Sequence, residues 1–111
     1  MTISQYELSQ FTGTEHYYNH WLGIKLTDGV KYLAERAKAY WLIDAIASYH
    51  RKEPFQVWEL KVLPSKEAVL TMVEDSDQPV LVKQDIPFTD FPLTGIKLYL
   101  IDSILLLPSE Y

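Results

Sequence analysis

Three apolar stretches in the second half of the chain decide the fold: FQVWELKV (55–62), AVLTMV (68–73) and VLVKQDI (80–86). In the first stretch, the apolar Trp58 and Leu60 flank the charged Glu59, which is the two-residue period of a strand with one buried face and predicts a strand over 56–62. Short polar connections at 64–67 and 74–79 separate the stretches. Such connections predict antiparallel pairing, because a parallel crossover needs a dozen or more residues.

Two further segments follow these strands. Residues 87–94 have no regular pattern, and we expect Phe88 and Phe91 to fill one end of the core. Residues 96–107 are apolar apart from a few positions, and they predict a last strand or a hairpin that turns at Asp102 and Ser103.

Helical patterns lie nearer the start of the chain. Leu42, Ile43 and Ile46 recur at helical spacing, which predicts an amphipathic helix over 39–49 that ends before Pro54. Residues 4–11 predict a short helix, for which Thr2 or Ser4 is the N-cap. The pair Ser4 and Glu7 has the spacing of a capping box.

Between the two helices, the residues IKLT (24–27), Asp28-Gly29 and VKYL (30–33) have the pattern of a β-hairpin. Asp-Gly favours the type I′ turn, in which both central residues have positive φ. We therefore predict two more strands on either side of Asp28.

Together these patterns predict an α+β fold. It is an antiparallel β-sheet of five to six strands, with one central amphipathic helix packed on a face and a short N-terminal helix. The chain has 111 residues, of which 48% are hydrophobic, and no linker divides it. We expect one domain over residues 1–111, with enough apolar surface to form its own core.

Charge and composition exclude several functions. The ten Lys and Arg against fifteen Asp and Glu give a net charge of −5, which repels a phosphate backbone, so no nucleic acid is expected as a partner. No apolar stretch is long enough to cross a membrane, and the start lacks a signal-peptide pattern. The chain has no cysteine, which suits a reducing cytoplasm.

The segment EHYYNHW (15–21) is the strongest candidate for a functional surface. It is predicted as a helical turn or as a coil that lies across the core. On a helix, His16 and His20 would share a face in the way that zinc-binding helices use. A zinc site needs a third ligand, and the remaining histidine, His50, is distant in sequence, so no metal is predicted. Tyr17, Tyr18 and Trp21 complete the candidate binding residues.

No catalytic motif or cofactor motif is present. The chain contains no G-x-S-x-G elbow and no glycine-rich phosphate loop, so we predict no catalytic residues and no cofactor. Asp44 interrupts the apolar helix segment WLIDAIA (41–47). It lies either on the solvent edge of the helix or in a pocket that perturbs its pKa.

Six segments together resemble a family of small uncharacterised bacterial proteins, largely from cyanobacteria. They are LSQFTGTEHYYNHWLG (8–23), TDGVKYLAE (27–35), AYWLIDAIAS (39–48), FQVWELKV (55–62), FTDFPL (88–93) and LLLPSEY (105–111). The resemblance spans nearly the whole chain but implies no activity, cofactor or site residue. Members of this family often carry glycine near the position of Lys38, which implies a different turn before Ala39 here.

Three functional hypotheses remain open. The first is a non-enzymatic interaction or accessory module that binds a protein partner through residues 15–21, because aromatic residues with polar tips are enriched at interfaces. The second is a small enzyme or ligand-binding domain with a pocket lined by His16, His20, Trp21 and Asp44. The third is an acidic regulator that binds a basic protein. A homo-oligomer is compatible with all three, since a small sheet has edges to cover.

Overall fold

The computed structural model describes residues 4–20, 22–49, 54–74 and 79–111. Within them the helices are α1 (Gln5–Ser9), α2 (Asp28–Arg36) and α3 (Tyr40–Ala47), followed near the end by a 3₁₀ turn at Pro108–Glu110. The strands are β1 (Tyr18–Asn19), β2 (Lys25–Leu26), β3 (Phe55–Val62), β4 (Ala68–Val73), β5 (Val80–Ile86), β6 (Gly95–Ile101) and β7 (Ile104–Leu106). The fold is therefore α+β.

The described strands form one seven-stranded sheet in the order β1-β2-β7-β6-β3-β4-β5. All neighbours are antiparallel except β2 and β7, which run parallel. The prediction of five to six antiparallel strands was wrong in the number of strands and in the direction of one pairing, that of β2 with β7. A two-residue strand such as β1 or β2 is too short for periodicity to reveal, and the pairing of β2 with β7 joins segments that are far apart in the sequence.

The three strands predicted from the second half of the chain are confirmed. Strands β4 and β5 have the predicted bounds, and β3 begins one residue earlier, at Phe55. The segment predicted over 96–107 is the β6–β7 hairpin, which spans residues 95–106. Its turn residues Asp102 and Ser103 have φ values of 49° and 68°, as the type I′ turn requires.

One face of the sheet carries the hydrophobic core. Each helix adds buried side chains to a single cluster with the inward side chains of the strands, for example Leu8 of α1, Leu33 of α2 and Ile46 of α3. The predicted stripe on α3 is confirmed, since Leu42, Ile43 and Ile46 are fully buried. The capping box of α1 is also present, with Ser4 at the N-cap and Glu7 three residues later.

The hairpin predicted around Asp28 and Gly29 was wrong, because these two residues begin helix α2. The Thr27 side chain caps the helix by accepting a hydrogen bond from the backbone N–H of Val30 at 3.4 Å. Val30, Leu33 and Ala34 then share the buried face at helical spacing. Gly29 does not have positive φ, so the Asp-Gly pair makes no turn here.

The α2 helix start is completed by a residue from the other end of the chain. One carboxylate oxygen of Glu110 accepts hydrogen bonds from the Thr27 hydroxyl at 2.6 Å and from the backbone N–H of Leu107 at 3.0 Å. The other oxygen accepts from the backbone N–H of Gly29 at 3.0 Å. An anion is favourable at a helix N-terminus because of the unpaired N–H groups and the helix dipole. Glu110 therefore joins α2 to the end of β7.

The loop predictions were correct in part. Residues 87–94 are irregular, and Phe91 is buried in the core, whereas the ring of Phe88 is 61% exposed and does not fill it. Lys38, between α2 and α3, has φ of 53°, a left-handed conformation in which glycine is the favoured residue. Among the described helices none has the length and apolarity needed to cross a membrane.

Candidate functional site

The segment 14–20 is irregular except for the edge strand β1. It is fixed to the start of α2 by reciprocal hydrogen bonds. The backbone N–H of Glu15 donates to Asp28 Oδ2 at 2.9 Å, and the backbone N–H of Asp28 donates to Thr14 Oγ1 at 2.9 Å. The Thr14 hydroxyl in turn donates to the carbonyl of His16 at 2.7 Å. These hydrogen bonds hold the backbone of the segment in one conformation.

Asp28 also organises the electrostatics of this segment. The hydrogen bond from the backbone N–H of Glu15 is the largest cause that lowers the pKa of Asp28 below its ordinary value, and the Tyr18 hydroxyl adds to it. The same contact with Asp28 raises the pKa of Tyr18. The Lys31 ammonium lies 5.0 Å from the centroid of the Tyr18 ring, a cation–π contact.

The other end of the segment is joined to α3 by a histidine–carboxylate pair. His20 Nε2 lies 2.7 Å from Asp44 Oδ1, and His20 Nδ1 accepts the backbone N–H of Leu22 at 3.1 Å. The contact at Nδ1 assigns the ring proton to Nε2, which donates to Asp44. Both ring nitrogens are therefore engaged. The His20 side chain is only 4% exposed, and that of Asp44 is 44% exposed.

A cleft opens beside this pair, between the sheet edge and helices α2 and α3. Its volume is about 460 Å³. Its mixed lining could bind a small polar molecule, because it combines a carboxylate, an ammonium group and two phenol rings. The lining residues are Tyr18, Asn19, His20, Leu26, Lys31, Tyr40 and Asp44.

The sequence matches the model of a family over residues 2–111, which is nearly its entire length. The chain belongs to DUF6876, a family of unknown function. No curated protein and no solved structure matches the chain significantly. The function of this DUF6876 member therefore has to be argued from its own residues.

The structure of this DUF6876 protein brings together only some of the predicted site residues. His20 and Tyr18 line the cleft with Asp44, whereas His16 is exposed and the Tyr17 side chain is 54% exposed. Of the two predicted alternatives for this segment, a helical turn or a coil, its described residues form a coil with the short strand β1, so His16 and His20 do not share a helix face. Trp21 and His50 lie outside the described residues.

No metal site follows from the described part of this DUF6876 protein. In the ranges 4–20, 22–49, 54–74 and 79–111, no three His, Asp or Glu side chains lie close enough together to bind a metal ion. The pair of His20 and Asp44 has no third ligand there.

Sequence reasoning missed four cleft residues, which are Asn19, Leu26, Lys31 and Tyr40. Lys31 could have been found if α2 had been recognised, because it lies one helical turn after the N-cap residue Thr27. It is half-buried and lies beside Tyr18. Nothing local in the sequence marks Asn19 or Tyr40, since their place in the cleft depends on how β1 and α3 meet.

Proposed function

We propose that this protein is a non-enzymatic interaction module that binds a protein partner through the surface of residues 15–20. The observation that carries this proposal is the hydrogen bonding of His20. With Nδ1 accepting from Leu22 and Nε2 donating to Asp44, the ring holds the segment on α3 and has no nitrogen left to act as a general base.

The rigid hold on the segment supports binding. Asp28 fixes one end and His20 fixes the other, so the exposed side chains of His16 and Tyr17 are presented on an ordered backbone. Because this backbone is already ordered, the segment loses less conformational entropy when a partner binds. Tyrosine and histidine combine an apolar ring with a polar group, which suits an interface that contains both apolar contacts and solvent-exposed polar groups. The proposal includes a cytoplasmic location, which the lack of cysteine supports.

Affinity capture from the native host tests this proposal. We expect the wild-type protein to retain a partner that the double variant His16→Ala, Tyr17→Ala loses. The variant Phe88→Ala is the matched control, because it also removes an exposed aromatic ring, at 61% exposure, but from the loop after β5. A partner that the double variant and the wild type retain equally would exclude this surface.

A ligand-binding domain is the second candidate, and the cleft beside His20 and Asp44 supports it. The Asp44 carboxylate and the Lys31 ammonium in this cleft favour a small molecule that carries one positive and one negative charge. Such a ligand would raise the melting temperature of the protein in proportion to its binding free energy. A thermal-shift screen of small zwitterions should give a hit that Asp44→Asn loses and Phe88→Ala keeps. An acidic regulator, the third candidate, would instead bind basic proteins with a strong dependence on salt.

A further inference from the structure

Strand β6 is paired on both sides for only part of its length. On one side it pairs with β3 from Gly95 to Ile101, whereas on the other side it pairs with β7 only from Tyr99 to Ile101. The chain leaves the sheet after Leu106 and enters the 3₁₀ turn Pro108–Glu110. In the described part of the chain, the first residues of β6 therefore have no neighbouring strand on the β7 side.

The hydrogen-bond pattern shows which backbone groups point into this gap. In an antiparallel ladder, successive residues direct their N–H and C=O groups alternately to one side and to the other. The backbone N–H of Val62 donates to the carbonyl of Thr94 at 2.8 Å, at the next position of the β3–β6 register. The even-numbered residues of β6 therefore direct these groups to β3, and the odd-numbered residues Lys97, Tyr99 and Ile101 direct them to the β7 side.

Lys97 is the residue whose backbone groups lack a partner on that side. The β6–β7 register ends with Tyr99 opposite Leu106, and its next hydrogen-bonded position would place Pro108 opposite Lys97. Proline has no N–H to donate, and the Pro108 carbonyl accepts the backbone N–H of Tyr111 at 3.2 Å. Among the described residues, no backbone group pairs with the N–H and C=O of Lys97 on this side.

A cleft lies at this point, between the start of β6 and the Pro108–Glu110 turn. Its volume is about 520 Å³, within the roughly 300–1,000 Å³ of typical ligand sites. Part of its lining comes from side chains of the buried core cluster, namely Leu8, Leu60, Ile96 and Leu107. The charged side chains of the lining alternate with those residues along the strands, and they are Glu59, Lys61 and Lys97. The cleft thus has an apolar inner side and an outer side with two cations and one anion.

We propose that this cleft binds an extended segment of a partner protein, which pairs with Lys97 and continues the line of β7. It is a second binding surface, because none of residues 15–20 lines the cleft. Addition of a strand to an open sheet edge is a common mode of peptide recognition, in which backbone hydrogen bonds supply affinity and alternate side chains supply specificity. One residue of the segment, the central residue, exchanges two hydrogen bonds with the N–H and C=O of Lys97.

The geometry also determines the chemistry of the segment. The central residue is directly opposite Lys97, so its side chain lies on the outer face, where Glu59 occupies the other side of Lys97. A carboxylate at the central residue completes a row of anion, cation and anion, and Lys61 adds a second cation nearby. The residues on either side of the central residue point to the inner side, where Ile96 and Leu107 favour apolar side chains. The segment therefore has the pattern apolar–acidic–apolar.

Peptide titration followed by NMR tests this proposal. The first probe is a short peptide with blocked ends and the sequence Thr-Val-Glu-Val-Thr, and the second probe carries lysine in place of glutamate. We expect the glutamate peptide to shift the backbone amide signal of Lys97 with a Kd of about 1 mM and to slow the hydrogen exchange of that amide. The lysine peptide should bind about fivefold more weakly, because it replaces an attraction by a repulsion.

A peptide with N-methyl-glutamate at the central position is the control for backbone pairing. The methyl group removes the N–H that donates to the Lys97 carbonyl, so binding should be lost. Lys97→Glu should reverse the preference and bind the lysine peptide more tightly, whereas Lys83→Glu, which makes the same charge change at an exposed position of β5, should keep the wild-type preference. Circular dichroism checks that the variants fold. If Lys97→Glu does not fold, Lys97→Gln takes its place and should bind both peptides equally.

Three results would overturn the proposal. The first is a Lys97 amide signal that the glutamate peptide does not shift, or peptide-induced shifts confined to the β5 edge. The second is equal binding of the N-methyl peptide, which would exclude backbone pairing. The third is a Lys97 variant that keeps the wild-type preference for glutamate, which would exclude the pairing of charges on the outer face.

Discussion

Two aspartate-containing dipeptides of this protein have similar sequences and opposite structures. Asp28-Gly29 has the composition of a type I′ turn but forms the first turn of α2. Asp102-Ser103 lacks the glycine but forms the turn between β6 and β7, with both residues at positive φ. The residues around each dipeptide explain the difference. Thr27 caps a helix with the spacing of Val30 and Leu33, whereas Asp102 joins two strands that pair directly.

The comparison shows that a dipeptide preference is weaker than the contacts around it. An αL conformation costs a non-glycine residue roughly 1–2 kcal/mol, which the β6–β7 pairing offsets at Asp102 and Ser103. The start of α2 gains a larger stabilisation from the Thr27 cap and from Glu110. Substitutions at Glu110, Gly29 and Ser103 test this balance.

Loss of the Glu110 carboxylate should destabilise α2 most. Glu110→Ala removes acceptors from Thr27, Gly29 and Leu107, and hydrogen bonds to a charged group contribute about 1.5–3 kcal/mol each, with incomplete additivity. We expect the free energy of unfolding to fall by about 2–4 kcal/mol, measured by urea denaturation.

Glu110→Gln is the control for that experiment, because it keeps the shape and one acceptor oxygen. Its loss should be smaller than that of Glu110→Ala. Equal stability of the alanine variant and the wild type would show that α2 starts correctly without its distant cap.

A methyl group at Gly29 should also destabilise the protein. Its carbon would lie 2.6 Å from Leu107 Cδ1 and 2.7 Å from Glu110 Oε1, and both of those side chains are held by other contacts. We expect Gly29→Ala to lose about 1–2 kcal/mol, since overpacking outweighs the better helix propensity of alanine. Gly13→Ala, which has no heavy atom within 4 Å of the added carbon, is the control and should be close to neutral. A stabilised Gly29→Ala would contradict the close packing.

The β6–β7 turn should respond in the opposite direction. Ser103 has φ of 68°, so Ser103→Gly relieves the steric cost and should stabilise the protein by about 0.5–1 kcal/mol in thermal or urea unfolding. The same change at Ser109, which is not in the left-handed region, should give no such gain. A destabilised Ser103→Gly variant would mean that the Ser103 side chain stabilises the turn by more than its left-handed conformation costs.

Acid should weaken the contact between the segment 14–20 and α2. The folded pKa of Asp28 is lowered, first by the backbone N–H of Glu15. Its contribution is therefore fully present above the ordinary aspartate pKa of about 3.9 and is lost as the pH falls through the lower folded pKa. We expect the melting temperature of Asp28→Asn to fall less than that of the wild type between neutral pH and strong acid. If the melting temperatures of the two proteins fell equally with pH, Asp28 would not be the group through which acid acts.

Much of the fold was predictable because its signals are local. The strands β3, β4 and β5, the stripe on α3 and the capping box of α1 each depend on residues a few positions apart. The site was predictable only as a set of candidates. His20 and Asp44 could be named, but they are 24 positions apart, and no spacing rule brings an irregular segment against a helix at that distance.

The sequence alone determined the period-two strands and the buried helix stripes, because each follows from side chains that are neighbours along the backbone. Tertiary structure decided the rest. It made Asp28-Gly29 a helix start through Glu110, 81 positions away from Gly29, paired β2 in parallel with β7, and placed the ring of Tyr111 against Phe55 and Tyr99. These outcomes depend on long-range contacts, whose free energy is gained only after the local elements have formed and met.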